Sequence, residues 1–266
     1  MKLILGMTCI EQVHHATVFS LLNTFAQKPE LFDGFLIIQG TLLPHARNKI
    51  VQYIYEAEPD FTHILLVDAD MCNFNHEHIQ KLIDADKDII SGLFNERKPP
   101  YGTISAFTEE DADNFKDNFE NGRVLSTEIV GTAFTLIKRK VFDKMRELTS
   151  EGPIWFTCDR FPREGISEEI KSFVEESIKD YANNPEQTII DAIFFGQTSH
   201  IGSRFLGEDI NFSRKAVALG FKLFIHLGCV IGHVGEINCD IYKKNDYNRN
   251  KLITEGKLKL VTSGEN

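Results

Sequence analysis

The stretch His63-Ile64-Leu65-Leu66-Val67-Asp68-Ala69-Asp70 runs from a continuous apolar segment straight into two carboxylates separated by one alanine. A short apolar run without polar alternation suits a strand buried on both faces, as at the centre of a parallel sheet. In open α/β sheets, ligands bind beyond the carboxyl ends of the strands. Two carboxylates beside an apolar core are costly unless a cation compensates them. A divalent ion with oxygen ligands is one natural partner, and such an ion can bridge the phosphates of a nucleoside diphosphate. In a second reading, one aspartate caps the following segment and the other is solvated.

Working outward, residues 2–7 and 35–38 read as short apolar strands. Residues 17–25 predict a helix with Val18, Leu21, Leu22 and Phe25 at helical spacing. Residues 46–58 predict another, with Ile50, Val51, Ile54 and Tyr55 on its buried side. Downstream come a helix over 76–85 and a strand over 88–92. This alternation predicts a Rossmann-like α/β fold, a mostly parallel central sheet flanked by helices. Residues 108–121 are acidic and poorly periodic, as in a surface loop or linker. Residues 128–137 read as a strand holding Val130-Gly131-Thr132-Ala133-Phe134, whose glycine would let backbone approach a ligand closely. A helix over 140–147 follows. Residues 150–205 read as an irregular insertion with an acidic amphipathic helix over 167–181. A helix over 207–219 stops at Gly220, and 222–227 and 229–231 supply the last strands. The whole is expected to be one domain, 1–266, with functional halves 1–105 and 122–266.

The 266 residues, 42% hydrophobic and 26% charged, are ordinary for a soluble globular chain. A net charge of −10 argues against a protein that coats nucleic acid. The locally basic stretch 243–259 reads as a solvated tail. Five cysteines without CxxC spacing argue against a disulfide framework or zinc ribbon, and for a reducing, cytoplasmic setting. No apolar run is long enough for a signal-peptide core or a transmembrane helix, so none is expected.

Three further places carry chemistry. Gly207-Glu208-Asp209 opens a helix, where carboxylates favour the free N–H groups and the dipole. Either residue can instead be a general base taking a proton from an acceptor hydroxyl. Gly232-His233 follows an apolar strand. His233 is either structural or the completion of a metal site with the two aspartates, a mixed set that suits Mn²⁺ better than Ca²⁺. Arg47-Asn48 near a helix start reads as a phosphate contact or as a surface pair, and Arg97 as a diphosphate contact or an exposed residue. Trp155 reads as core or as a sugar-stacking ring, and His14-His15 is too isolated for a metal site.

The order of these pieces carries a resemblance: Arg47-Asn48, the run ending at Asp70, Ser91-Gly92-Leu93-Phe94-Asn95-Glu96-Arg97, the segment from Val130, Gly207-Glu208-Asp209 and Ile231-Gly232-His233. From residue 3 to about 236, the chain resembles GT-A glycosyltransferases related to family 2, including small single-domain bacterial and phage members. The resemblance implies a GT-A fold with an acceptor-side insertion and transfer of a hexosyl or pentosyl group from a nucleotide diphosphate sugar. It implies Mn²⁺ or Mg²⁺ as cofactor, with Asp70, Asp68 and His233 as metal ligands. Thr8, Arg47, Asp68 and Arg97 would contact the donor, and Asp209 would be the base with Glu208 as fallback. The acceptor would be a hydroxyl of a surface glycan or of a modified phage DNA base. A nucleotidyltransferase or a non-catalytic sugar-nucleotide binder is the alternative. The QxxRW motif common in that family is absent, which puts processive polymer synthesis in doubt.

Overall fold

The computed structural model describes residues 1–95, 114–147, 155–157, 207–234 and 238–239. Arg97, the insertion expected over 150–205 apart from residues 155–157, and the basic stretch 243–259 lie outside the described residues.

The element order is β1 (Leu3–Cys9), α1 (His15–Gln27), a 3₁₀ turn (Pro29–Leu31), β2 (Gly34–Gln39), α2 (Leu43–Ala57), β3 (His63–Asp68) and β4 (Met71–Cys72). Next come α3 (His76–Asp84), β5 (Ile89–Leu93), α4 (Phe115–Glu120), β6 (Val124–Thr127), β7 (Phe134–Lys138) and α5 (Arg139–Arg146). The described chain ends with α6 (Glu208–Ala218), β8 (Leu223–Val230), β9 (Gly232–Val234) and β10 (Asn238–Cys239). Seven strands form the central sheet in the order β2-β1-β3-β7-β5-β8-β6, and β10-β9-β4 form a small second sheet. β7 runs antiparallel to β3 and β5, and β6 antiparallel to β8, while the other pairings of the central sheet are parallel. The sheet is therefore mostly parallel in strand direction and flanked by helices, the Rossmann-like arrangement expected of a GT-A fold.

Strand alternation splits the core in two. Leu3, Leu5, Met7, Leu65 and Val67 face α1 and α3. Ile4, Ile64 and Leu66 face α2, α5 and α6. Trp155 is core: its ring is stacked on Tyr55, and Nε1 donates to the Phe142 carbonyl at 3.0 Å.

Three expectations are corrected. The strand expected over 128–137 begins only at Phe134, and Gly131 to Ala133 are not strand backbone, Thr132 and Ala133 forming a turn. A separate strand, β6, and the short α4 lie partly within and just after the segment expected to be loop. Helix α1 follows its apolar spacing only in part: Leu21 is buried and Phe25 packs against the core, but Thr17, Ser20 and Thr24 are buried beside them, while Val18 and Leu22 are exposed. The hydroxyls keep the cost of this low, because Ser20 Oγ donates to the Ala16 carbonyl and Thr24 Oγ1 to the Ser20 carbonyl.

Candidate functional site

Thr8 and Asp68 are register partners at the carboxyl ends of neighbouring parallel strands, so their side chains leave the same face of the sheet. Thr8 Oγ1 donates to Asp68 Oδ1 at 2.6 Å. The next residues turn sharply. Ala69 N–H donates to the Thr8 carbonyl at 3.0 Å, and the Ala69 carbonyl accepts from His14 N–H at 2.9 Å and Thr17 Oγ1 at 2.8 Å. The Asp68-Ala69-Asp70 turn is thus fixed to the start of α1.

Arg47 comes to the same place from α2. That helix packs closely on β1 because Gly6 has no side chain: a Cβ there would land on Ile50 Cγ2. Arg47, about one turn earlier on α2, is 1% exposed. It is therefore a buried residue and not the surface residue of the second reading. Its Nη2 donates to Asp68 Oδ1 at 3.0 Å and Oδ2 at 3.1 Å. Its Nη1 donates to Glu208 Oε1 at 2.6 Å and to Asp209 Oδ1 at 3.3 Å. One guanidinium fork thereby joins the end of β3 to the first turn of α6. Burial lowers the Arg47 pKa, but Asp68, Asp209 and Glu208 together outweigh it and hold the guanidinium charged.

Asp209 is held from a second side. Its Oδ1 also accepts from the Thr132 backbone N–H at 3.1 Å and from Thr132 Oγ1. The turn carrying Thr132 is fixed to α6 by Ser213, whose Oγ accepts from Val130 N–H at 3.2 Å. Burial raises the Asp209 carboxyl above the ordinary aspartate value, against the opposing pull of Arg47. With Oδ1 so engaged, Oδ2 is the oxygen with proton-accepting capacity. Sequence reasoning does not single out Thr132; Gly131 beside it is the available signal.

His233 reaches Asp70 through strand pairing. β9 lies antiparallel to β4, with His233 opposite Met71, and Val234 N–H donates to the Asp70 carbonyl at 2.8 Å. His233 Nδ1 is 2.8 Å from the Asn95 carbonyl, an acceptor only, so Nδ1 carries the proton. Nε2 faces Asp70 Oδ1 at 3.4 Å. A neutral imidazole presents a lone pair towards that carboxylate, and the pair is reconciled by a cation between them or by protonation of the ring. The donor set therefore fits a divalent metal with Nε2 and a carboxylate oxygen as protein ligands. Among the described residues, no group of three or more His, Cys, Asp or Glu is gathered around one point. Asp68 is turned to Thr8 and Arg47, so Asp70 and His233 are the nearer pair for an ion.

A cavity of about 310 Å³ opens beside this turn. Thr8, Cys9, His14, Ala46, Asp68 and Asp70 are among the residues lining it. It lies at the carboxyl ends of β1 and β3, where a doubly wound sheet takes its ligand. Asn48, next to Arg47, is structural, and its side chain binds the backbone of Trp155 and Phe156 at 2.6–3.0 Å. No described helix is long and apolar enough to cross a membrane.

Neither a protein-family model nor a curated protein matches the chain in sequence. Among solved structures, the chain is similar to A197 from STIV, with a TM-score of 0.48 and 12% identity over 88% of this chain and 86% of that one. It is similar to a glycosyltransferase involved in the glycosylation of the major capsid of PBCV-1, with a TM-score of 0.30 and 11% identity over 84% of this chain and 91% of that one. It is also similar to 4-diphosphocytidyl-2C-methyl-D-erythritol synthase from Anaerococcus prevotii, with a TM-score of 0.30 and 11% identity over 57% of this chain and 77% of that one.

Proposed function

We propose that this chain is a glycosyltransferase that moves a sugar from a nucleotide diphosphate sugar to an acceptor hydroxyl, with Mn²⁺ or Mg²⁺ as cofactor. The observation that carries this reading is the Arg47 fork, which places the end of β3 and the first turn of α6 against each other beside a cavity. Donor and acceptor machinery would then share one charged, preorganised wall.

In this reading the nucleoside occupies the cavity against Thr8 and Asp68. Asp70 Oδ1 and His233 Nε2 would hold the cation, with further ligands from the diphosphate and water, the usual manner for Mg²⁺. The cation would neutralise charge that develops on the departing diphosphate. Asp209 Oδ2 accepts the acceptor's hydroxyl proton as the oxygen attacks the anomeric carbon and the sugar–phosphate bond breaks. Thr132 and Arg47 keep the carboxylate aimed, and Arg47 favours its ionised form against the effect of burial. Glu208, on the same Nη1, would support the guanidinium.

The test is a panel of nucleotide diphosphate sugars with and without Mn²⁺, read by the released product and by thermal stabilisation. Release of a nucleoside diphosphate supports the assignment. Release of pyrophosphate from a nucleoside triphosphate and a sugar phosphate would make it a nucleotidyltransferase. Metal-dependent binding without turnover on any acceptor tested, unchanged in Asp209→Asn, would make it a binder.

A further inference from the structure

The orientation of α1 leaves an apolar surface that no other described element covers. Phe19 is 74% exposed and Leu22 61% exposed, with Val18 beside them one turn from Leu22. Phe35 and Ile37 of β2 are also exposed large apolar residues. Register places Phe35 opposite Leu5 and Ile37 opposite Met7, so both lie on the sheet face that α1 covers. Phe25 of α1 contacts the Phe35 ring, with centroids 6.3 Å apart, which makes helix and strand one continuous surface. Among the described residues, β2 is also an edge strand of the seven-stranded sheet.

Two properties of this surface choose its occupant. First, it is free of formal charge: residues 12–27 and 34–44 contain no Asp, Glu, Lys or Arg, in a chain of net charge −10. Around a two-fold axis each residue meets its own copy or near neighbours of it, so any charge on the patch would face a like charge. A charge-free patch satisfies that condition in a chain that otherwise repels itself. Second, edge strands are normally blunted by Lys, Pro or a bulge, and β2 has none: its pairing with β1 is regular from Ile4–Gly34 to Cys9–Gln39. A membrane surface fits less well, because interfacial helices carry Lys or Arg on the polar face and α1 has neither.

We propose that the outward face of α1 and the edge of β2 form the contact between two copies of this chain in a two-fold dimer. β2 pairs antiparallel with its counterpart, and Phe19 and Leu22 pack across the axis. This contact is independent of the catalytic reading. It would nonetheless buttress the site, because the start of α1 holds the Ala69 carbonyl.

Sedimentation velocity on the full chain through the micromolar range tests it. The expected result is a species of twice the 30.3 kDa chain mass, converted to monomer by Phe19→Asp/Leu22→Asp with an unchanged circular dichroism spectrum. Ile37→Lys, on β2, is expected to weaken dimerisation at least tenfold without touching α1. A wild-type monomer at the highest concentration would overturn the proposal. So would a dimer indifferent to both variants, or a wild-type monomer that floats with neutral or anionic phospholipid vesicles.

Discussion

Arg47 stands between Asp68 and Asp209, with Nη2 3.0 Å from one carboxylate and Nη1 3.3 Å from the other. The two acids lie on elements far apart in sequence, and the buried guanidinium makes them parts of one wall. Removing it leaves carboxylates facing one another without their cation. Arg47→Ala is expected to cost roughly 3 kcal/mol of unfolding free energy, the lower end for a broken buried pair, because the carboxylates keep some solvent contact. Arg47→Lys is not expected to restore it, since an ammonium cannot span both sides as a fork does. Urea unfolding of the three proteins decides this, and equal stability of all three would make the fork energetically idle.

In the proposed mechanism Asp209, as the base, would supply the pH dependence. Burial raises its carboxyl above the ordinary aspartate value, and a base works only when ionised. The acid limb of kcat/KM is therefore expected at higher pH than for a solvated aspartate. The stability effect has the opposite sense. A raised folded pKa favours the protonated form, so this residue's contribution is fully present below the unfolded value and is lost as pH rises through the folded one. Asp209→Asn keeps an oxygen for Thr132 and Arg47 while removing the base. It is expected to reduce kcat about 10²–10⁴-fold without lowering stability near neutral pH. Undiminished turnover would move the base to another residue.

How much of this is legible in the sequence depends on whether a residue acts locally. Asp68 and Asp70 end an apolar run, Glu208 and Asp209 open a helix, and His233 follows a strand, so each announces itself. The alternation of strands and helices likewise gives the sheet. Arg47 is legible as a residue of interest, but not as a clamp, because its partners lie 21, 161 and 162 positions away. Thr132 is hidden because its amide and hydroxyl matter only once α6 arrives beside it. The facing of α1 departs from its apolar spacing at Val18 and Leu22, though not at Leu21 and Phe25, for a physical reason. Threonine and serine hydroxyls can satisfy themselves on the helix's own carbonyls, so they can be buried where an apolar stripe is expected.

Gly6 links packing to the site. A methyl group there meets Ile50 Cγ2 and must push α2 off β1. Gly6→Ala is expected to cost about 1–3 kcal/mol by overpacking, and to weaken donor binding because Arg47 moves with the helix. Ile50→Leu removes the branched methyl, so Gly6→Ala/Ile50→Leu is expected to recover part of both losses. Chemical denaturation and nucleotide titration follow the two effects separately. If the double variant is no better than Gly6→Ala, the obstruction is not the Ile50 methyl.

The Asp70–His233 pair predicts how a metal acts. The Asn95 carbonyl fixes the proton on Nδ1, so Nε2, 3.4 Å from Asp70 Oδ1, would be the coordinating nitrogen in the proposed metal site. Titrating Mn²⁺ by paramagnetic relaxation of water protons, in the presence of a nucleoside diphosphate, measures the ion without recourse to turnover. His233→Ala and Asp70→Asn are each expected to weaken Mn²⁺ binding about 10–100-fold, on the scale of losing a ligand or its orienting partner. Asp68→Asn is expected to change it less, because Asp68 is turned to Thr8 and Arg47. The ordering of the three variants is the informative result. If Asp68→Asn proved the most damaging, the ion would sit against β3, and Arg47 would have to release that carboxylate when metal binds.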